Sequence, residues 1–104
     1  MYVQMTLIDK HTAAIRRLCN KHKVYRLYVF GSALTSKFGG NSDIDFIVEF
    51  LPQDINDYAD NYFNLKFALE DTFKRHVDLL EEKAINNPYF KRATENNRQL
   101  IYGD

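Results

Sequence analysis

Apolar positions recur at helical spacing near the start of the chain. Ile8, Ile15, Leu18, Cys19 and His22 form one stripe, with Lys10, Arg16, Arg17 and Lys21 mostly off it. This pattern predicts an amphipathic helix from about Thr6 to His22, capped by Thr6 or Asp9. Val24–Phe30 is β-branched and aromatic and ends at Gly31, which reads as a buried strand. Ala33 to Lys37 has room for one or two helical turns, and Gly39-Gly40-Asn41-Ser42 is a turn. From Asp43 to Phe50 the pattern alternates. Ile44, Phe46, Val48 and Phe50 fall on one face, and Asp43, Asp45, Ile47 and Glu49 on the other. After Pro52 the longest helical pattern runs from Asp54 to Phe73, with Ile55, Tyr58, Tyr62, Leu65, Leu69 and Phe73 in one stripe. His76–Leu80 reads as a short third strand. Asn87 caps a last helix with Pro88 at its first position, carried on through Tyr89, Phe90, Ala93 and Leu100. The order predicts an α/β class: a single small domain over residues 1–104, with a short three-stranded mixed sheet flanked by helices.

Composition narrows the function classes. Fourteen basic residues balance fourteen acidic ones, so bulk charge gives no grip on nucleic acid. With 45% apolar residues the chain is globular rather than disordered. One cysteine, Cys19, excludes an internal disulfide and a Cys-rich metal site, and its place in the stripe points to the core. No cationic leader precedes an apolar run, and no apolar run is long enough to span a bilayer. The expectation is therefore a cytoplasmic protein without a membrane partner.

Candidate chemistry lies at the strand ends. Residues i and i+2 of a strand share a side, so Asp43 and Asp45 are neighbours of like charge. A divalent hard cation would bridge them, although taken alone the pair is better explained as two solvated acids in a turn. Gly31-Ser32 closes the preceding strand and enters a short helix. That is a phosphate-binding turn in physical terms, or a plain turn with a Ser cap. Asp78 stands in an apolar strand whose neighbours Val77 and Leu79 face away from it, an arrangement that favours pairing or a metal unless the strand is an edge and the acid faces water. If this strand lies beside the Asp43–Asp45 strand, three carboxylates converge, the number that holds two divalent ions. His76 shares the face of Asp78. His11 and His22 read as helix-surface or core-edge residues, Arg16, Arg17, Lys21 and Lys23 as a solvated basic run or a dock for a phosphate or an acidic partner, and Tyr58 and Tyr62 as core.

Phe30-Gly31-Ser32, a gap of ten residues, Asp43-Ile44-Asp45 and then His76-Val77-Asp78 together resemble the nucleotidyltransferase superfamily of DNA polymerase β type. A chance match to the first two parts arises on the order of once per thousand chains of this length. The size, the Ser42–Phe50 stretch and the Val77–Leu80 stretch look like those of the minimal nucleotidyltransferase (MNT) family, and the resemblance covers nearly the whole chain. It implies a polymerase β-like fold and Mg²⁺-dependent transfer of a nucleoside monophosphate, AMP from ATP, with two Mg²⁺ ions. The acceptor it implies is a hydroxyl of a partner protein, a tyrosine of a HEPN-domain toxin, with this chain as antitoxin in a hetero-oligomer. Carried over, Gly31 and Ser32 hold the β- and γ-phosphates, Asp43 and Asp45 bind both metals, and Asp78 binds the catalytic metal and helps deprotonate the acceptor. One departure stands out. Many relatives have Ala-Arg-Gly shortly after the Gly-Ser, whereas Ala33-Leu34-Thr35-Ser36-Lys37 has no Arg, leaving Lys37 as a flexible point charge. That departure supports a second reading, a binding module of the same fold that neutralises its partner by complex formation. A third, transfer to a small molecule such as an aminoglycoside, lacks an added helical substrate region in this chain.

Overall fold

Four strands and three helices account for residues 8–30 and 43–103, the part of the chain described by the computed structural model. A helical turn at residues 8–10 precedes α1 (Thr12–Lys21). Then follow β1 (Val24–Phe30), β2 (Ile44–Phe50), α2 (Ile55–Phe73), β3 (Val77–Glu81), a 3-10 turn (Glu82–Ala84), α3 (Pro88–Asn96) and β4 (Arg98–Tyr102). The sheet order is β3-β2-β1-β4. β1 is antiparallel to β2 and β4, whereas β2 and β3 are parallel. Parallel neighbours need a crossover, and the nineteen residues of α2 supply it.

The sheet is thus mixed, as expected, but it has four strands rather than three. The apolar spacing from Tyr89 to Leu100 reads as continuous helix. In the fold α3 stops at Asn96, and Leu100, Ile101 and Tyr102 extend along the free edge of β1. Pairing there satisfies backbone groups of β1 that would otherwise form a second open edge, which outweighs the local helical periodicity.

One face of the sheet carries the core. Leu27 and Val29 of β1, Ile44, Phe46 and Val48 of β2, and Val77 and Leu79 of β3 pack against Ile15 and Cys19 of α1 and Leu65, Leu69 and Phe73 of α2. Burial pushes the Cys19 thiol up to about 12, so it is a packing group, not a nucleophile. The α2 stripe holds from Tyr62 onward. Its first member, Ile55, is 85% exposed because the helix begins beyond the sheet. Asp54 caps α2 through Asn56 N–H at 2.9 Å, and Asn87 caps α3 through Tyr89 and Phe90 N–H at 2.9 and 3.1 Å. The first helix departs from expectation. Its N-cap is His11, with no side-chain cap bond, and Asp9 lies in the preceding turn, where its carbonyl accepts from Thr12 Oγ1 at 3.0 Å. Thr6, the short helix Ala33–Lys37 and the turn 39–42 lie outside the described residues.

His22 is buried, its Nδ1 donating to Leu18 C=O at 2.8 Å. The ring of His11 lies 4.9 Å from that of Phe73. Arg16, Arg17, Lys21 and Lys23 are exposed. No helix among the described residues is long and apolar enough to cross a membrane.

Candidate active site

The two parallel strands begin side by side. Ile44 N–H donates to His76 C=O at 3.1 Å, and the register sets Ile44 against Val77 and Asp45 against Asp78. Ile44 and Val77 are buried in the core. Strand alternation therefore turns Asp45 and Asp78 to the opposite face. The same period brings Asp43, one residue before β2, next to Asp45, and His76, one residue before β3, next to Asp78. Four polar side chains meet at one corner of the sheet. Asp45 also pairs with Phe30, so β1 ends at this corner too, directly before Gly31. Gly31 and Ser32 themselves lie outside the described residues, as does Lys37.

His76 stands between the acids. Its Nδ1 is 3.4 Å from Asp43 Oδ2 and 3.8 Å from Asp78 Oδ1. Its Nε2 is 3.9 Å from Glu70 Oε2. Glu70 belongs to the last turn of α2 and is fixed by the N–H of Val77, which donates to it at 3.0 Å. Just beyond, Lys74 takes a left-handed conformation (φ 57°) and its N–H closes on Glu70 C=O at 2.8 Å, turning the chain from α2 into β3. Glu70 was not legible as a site neighbour. Its place depends on that fold-back, and no local spacing marks it.

Charge is crowded here. The Asp45 carboxyl is pushed up from 3.8 to about 6, first by burial, then by a hydrogen bond and repulsion from Asp78 and repulsion from Asp43, with His76 acting the other way. Tyr62, on the core side, donates its hydroxyl to Leu79 C=O; burial and the charge of Asp78 push its phenol up as well. In the absence of metal, folded Asp45 retains a proton between about pH 4 and pH 6 that the unfolded chain has released. Stability therefore falls as pH rises through that window and stays lower above it. Asp45→Asn is expected to raise metal-free stability at pH 7 by about 1 kcal/mol, a figure already discounted for solvent screening at a partly exposed group, and to flatten the pH dependence. Thermal melts in a chelator across this pH range check both.

A surface cavity lies elsewhere. About 660 Å³ opens at the other end of β1, lined by Arg16, Asn20, Tyr25 and the end of β4, and holds none of the acids.

Residues 12–101 match the family described as "Nucleotidyltransferase domain". The chain belongs to the nucleotidyltransferase domain family. It is 35% identical over 96 residues to a protein of Methanocaldococcus jannaschii named, by inference, as a protein adenylyltransferase, covering 92% of this chain and 90% of that one. Its fold is similar to a solved structure titled, again by inference, as a minimal nucleotidyltransferase (TM-score 0.74, 26% identity, 95% of both chains). A toxin–antitoxin structure with AMP-PNP shares the fold at a TM-score of 0.69 and 21% identity, over 89% of this chain and 73% of that one.

A nucleotidyltransferase family implies a nucleotide substrate and a divalent metal. The residues fit such an ion. Asp43, His76 and Asp78 each offer a ligand atom within 4.8 Å of the others. Asp45, whose carboxyl is pushed up first by burial and then by Asp78 and Asp43, adds a further oxygen beside them whose charge a cation would offset.

Proposed function

We propose that this nucleotidyltransferase moves AMP from ATP, with two Mg²⁺ ions, onto a hydroxyl of a partner protein, a tyrosine of a HEPN-domain toxin, and so acts as an antitoxin in the cytoplasm. The observation that carries the reading is the meeting of Asp43, Asp45 and Asp78 at the β2–β3 corner where β1 ends. The protein-adenylyltransferase name of the M. jannaschii relative supports a protein acceptor, and the toxin–antitoxin structure of like fold supports the partner class.

In this reading Asp43 and Asp45 hold the metal side of the site, and Asp78 adds a third carboxylate. These carboxylates would hold Mg²⁺, which when bound would supply charge neutralisation to the triphosphate. The resemblance implies that Gly31 and Ser32 would hold the β- and γ-phosphates. The acceptor oxygen forms a bond to the α-phosphorus, and the bond from that phosphorus to the bridging oxygen breaks. Pyrophosphate leaves with the electron pair. The hydroxyl proton passes to Asp78, which is exposed and close enough to the other acids to face the same substrate. Incubation with α-labelled ATP, Mg²⁺ and the protein encoded beside this gene is expected to label that partner. No transfer with any nucleotide would remove the catalytic claim.

A second reading is a non-catalytic or weakly catalytic binding module of the same fold that neutralises its partner by complex formation. It needs a partner surface, as the first does, and Phe63 and Phe67 offer one: both are half-exposed on the outer side of α2, their rings stacked 6.2 Å apart. The two readings separate on the aspartate variant that opens the Discussion.

A further inference from the structure

Three of the four polar groups at the corner are the acids expected of the family; the fourth, His76, is a nitrogen donor. Two ligands held about 2.1 Å from one ion stand roughly 3.0–3.4 Å apart at octahedral to tetrahedral angles. His76 Nδ1 lies 3.4 Å from Asp43 Oδ2, inside that range. It lies 3.8 Å from Asp78 Oδ1, and both side chains are about half-exposed and free to close the difference.

The other ring nitrogen faces Glu70 at 3.9 Å, beyond hydrogen-bond reach but at ion-pair distance. Glu70 is itself anchored by Val77 N–H. A carboxylate hydrogen-bonded behind a histidine whose opposite nitrogen meets two further ligands is the outer support that metal-bound imidazoles commonly have; Glu70 stands on the right side of the ring for it, and closing by less than about 1 Å would let it fix the tautomer and the ring plane. Two features therefore agree, the ligand spacing in front of the ring and the carboxylate behind it. They come from different elements, β2 and β3 on one side and the end of α2 on the other.

We propose that His76 supplies an imidazole nitrogen to the divalent-ion site of Asp43 and Asp78, held in place by Glu70, and that this biases the site toward transition ions such as Co²⁺ or Zn²⁺ relative to Mg²⁺. Imidazole is a softer ligand than carboxylate and suits these ions, whereas Mg²⁺ takes oxygen. The inference deepens the metal-dependent reading above and rests on it.

The test measures binding, not activity. Co²⁺ and Mg²⁺ are titrated calorimetrically into wild type, His76→Ala and Glu70→Gln, each alone and with a non-hydrolysable ATP analogue. Mn²⁺-loaded samples are examined by pulsed electron paramagnetic resonance for nitrogen coupling. His76→Ala is expected to weaken Co²⁺ binding tenfold or more while Mg²⁺ changes by less than about threefold. Glu70→Gln, which keeps an acceptor oxygen for Val77 N–H, is expected to weaken Co²⁺ by about tenfold. Nitrogen coupling is expected in wild type and absent in His76→Ala. If wild type binds the ions without nitrogen coupling and His76→Ala keeps the same Co²⁺-to-Mg²⁺ ratio, the inference is overturned and the proposed function stands. If wild type binds no divalent ion even with the analogue, the proposed function falls and this inference with it.

Discussion

Replacing Asp43 and Asp45 together by Asn is expected to lower AMP transfer by about 10³-fold or more. Metal-held charge neutralisation contributes several kcal/mol to such a step, and each 1.36 kcal/mol is tenfold in rate. The variant is not expected to unfold. Asp43 is exposed, and the proton affinity of Asp45 is raised first by burial and then by the acids beside it, so removing both charges relieves desolvation and repulsion. Three measurements on the same preparation decide between the readings. Label incorporation into the partner reports transfer, co-elution reports complex formation, and the partner's residual activity reports neutralisation. If transfer and neutralisation of the partner are lost while co-elution survives, the protein acts as an enzyme. If neutralisation persists without the aspartates, the binding-module reading replaces it.

Phe46→Ala is expected to cost about 3–5 kcal/mol of stability, the usual range for deleting a buried phenylalanine. Phe46 is fully buried on β2, a central strand, with its ring centroid 5.9 Å from that of Phe73 on α2. A domain of this size has roughly 5–15 kcal/mol in total, so the loss would lower the melting temperature by about 15–25 °C. Phe63→Ala, on the outer side of the same helix, is expected to change it little. Calorimetric or circular-dichroism melts compare the two. A Phe46 effect below about 1 kcal/mol would mean that β2 is not packed as described. Because Asp45 adjoins Phe46 in the chain, activity is expected to fall with the folded fraction rather than by any direct contact with substrate.

These two substitutions fall at adjacent places that were legible to different degrees. The alternation from Asp43 to Phe50 already separates Phe46 for the core from Asp43 and Asp45 for the other face. That period is a property of an extended chain and needs no partner strand. The cap at Asn87 with Pro88, and the α2 stripe of Tyr62, Leu65, Leu69 and Phe73, were likewise readable because caps and helical spacing act within a few residues. Ile55 was misplaced for the complementary reason: the stripe shows which side of a helix is apolar, not how far the sheet beneath it extends.

Strand β4 shows where local reading stops. Residues 98–102 follow two asparagines and carry Leu-Ile-Tyr, a run that suits a strand edge as well as a helix end. Backbone groups of β1, more than sixty positions earlier, decide between them by offering hydrogen-bond partners. The sequence by itself determined that Asp43 and Asp45 share a side, that Asp78 stands in an apolar strand, and that these acids follow the spacing of a nucleotidyltransferase. Only the tertiary structure decided that Asp78 meets Asp45 in register, that His76 comes between Asp43 and Asp78, and that Glu70 stands behind it. The physical reason is that a parallel register is set through the α2 crossover, by how Leu65, Leu69 and Phe73 seat on Phe46, Val77 and Leu79. That packing is a sum over contacts distant in the chain, and no short-range period encodes it.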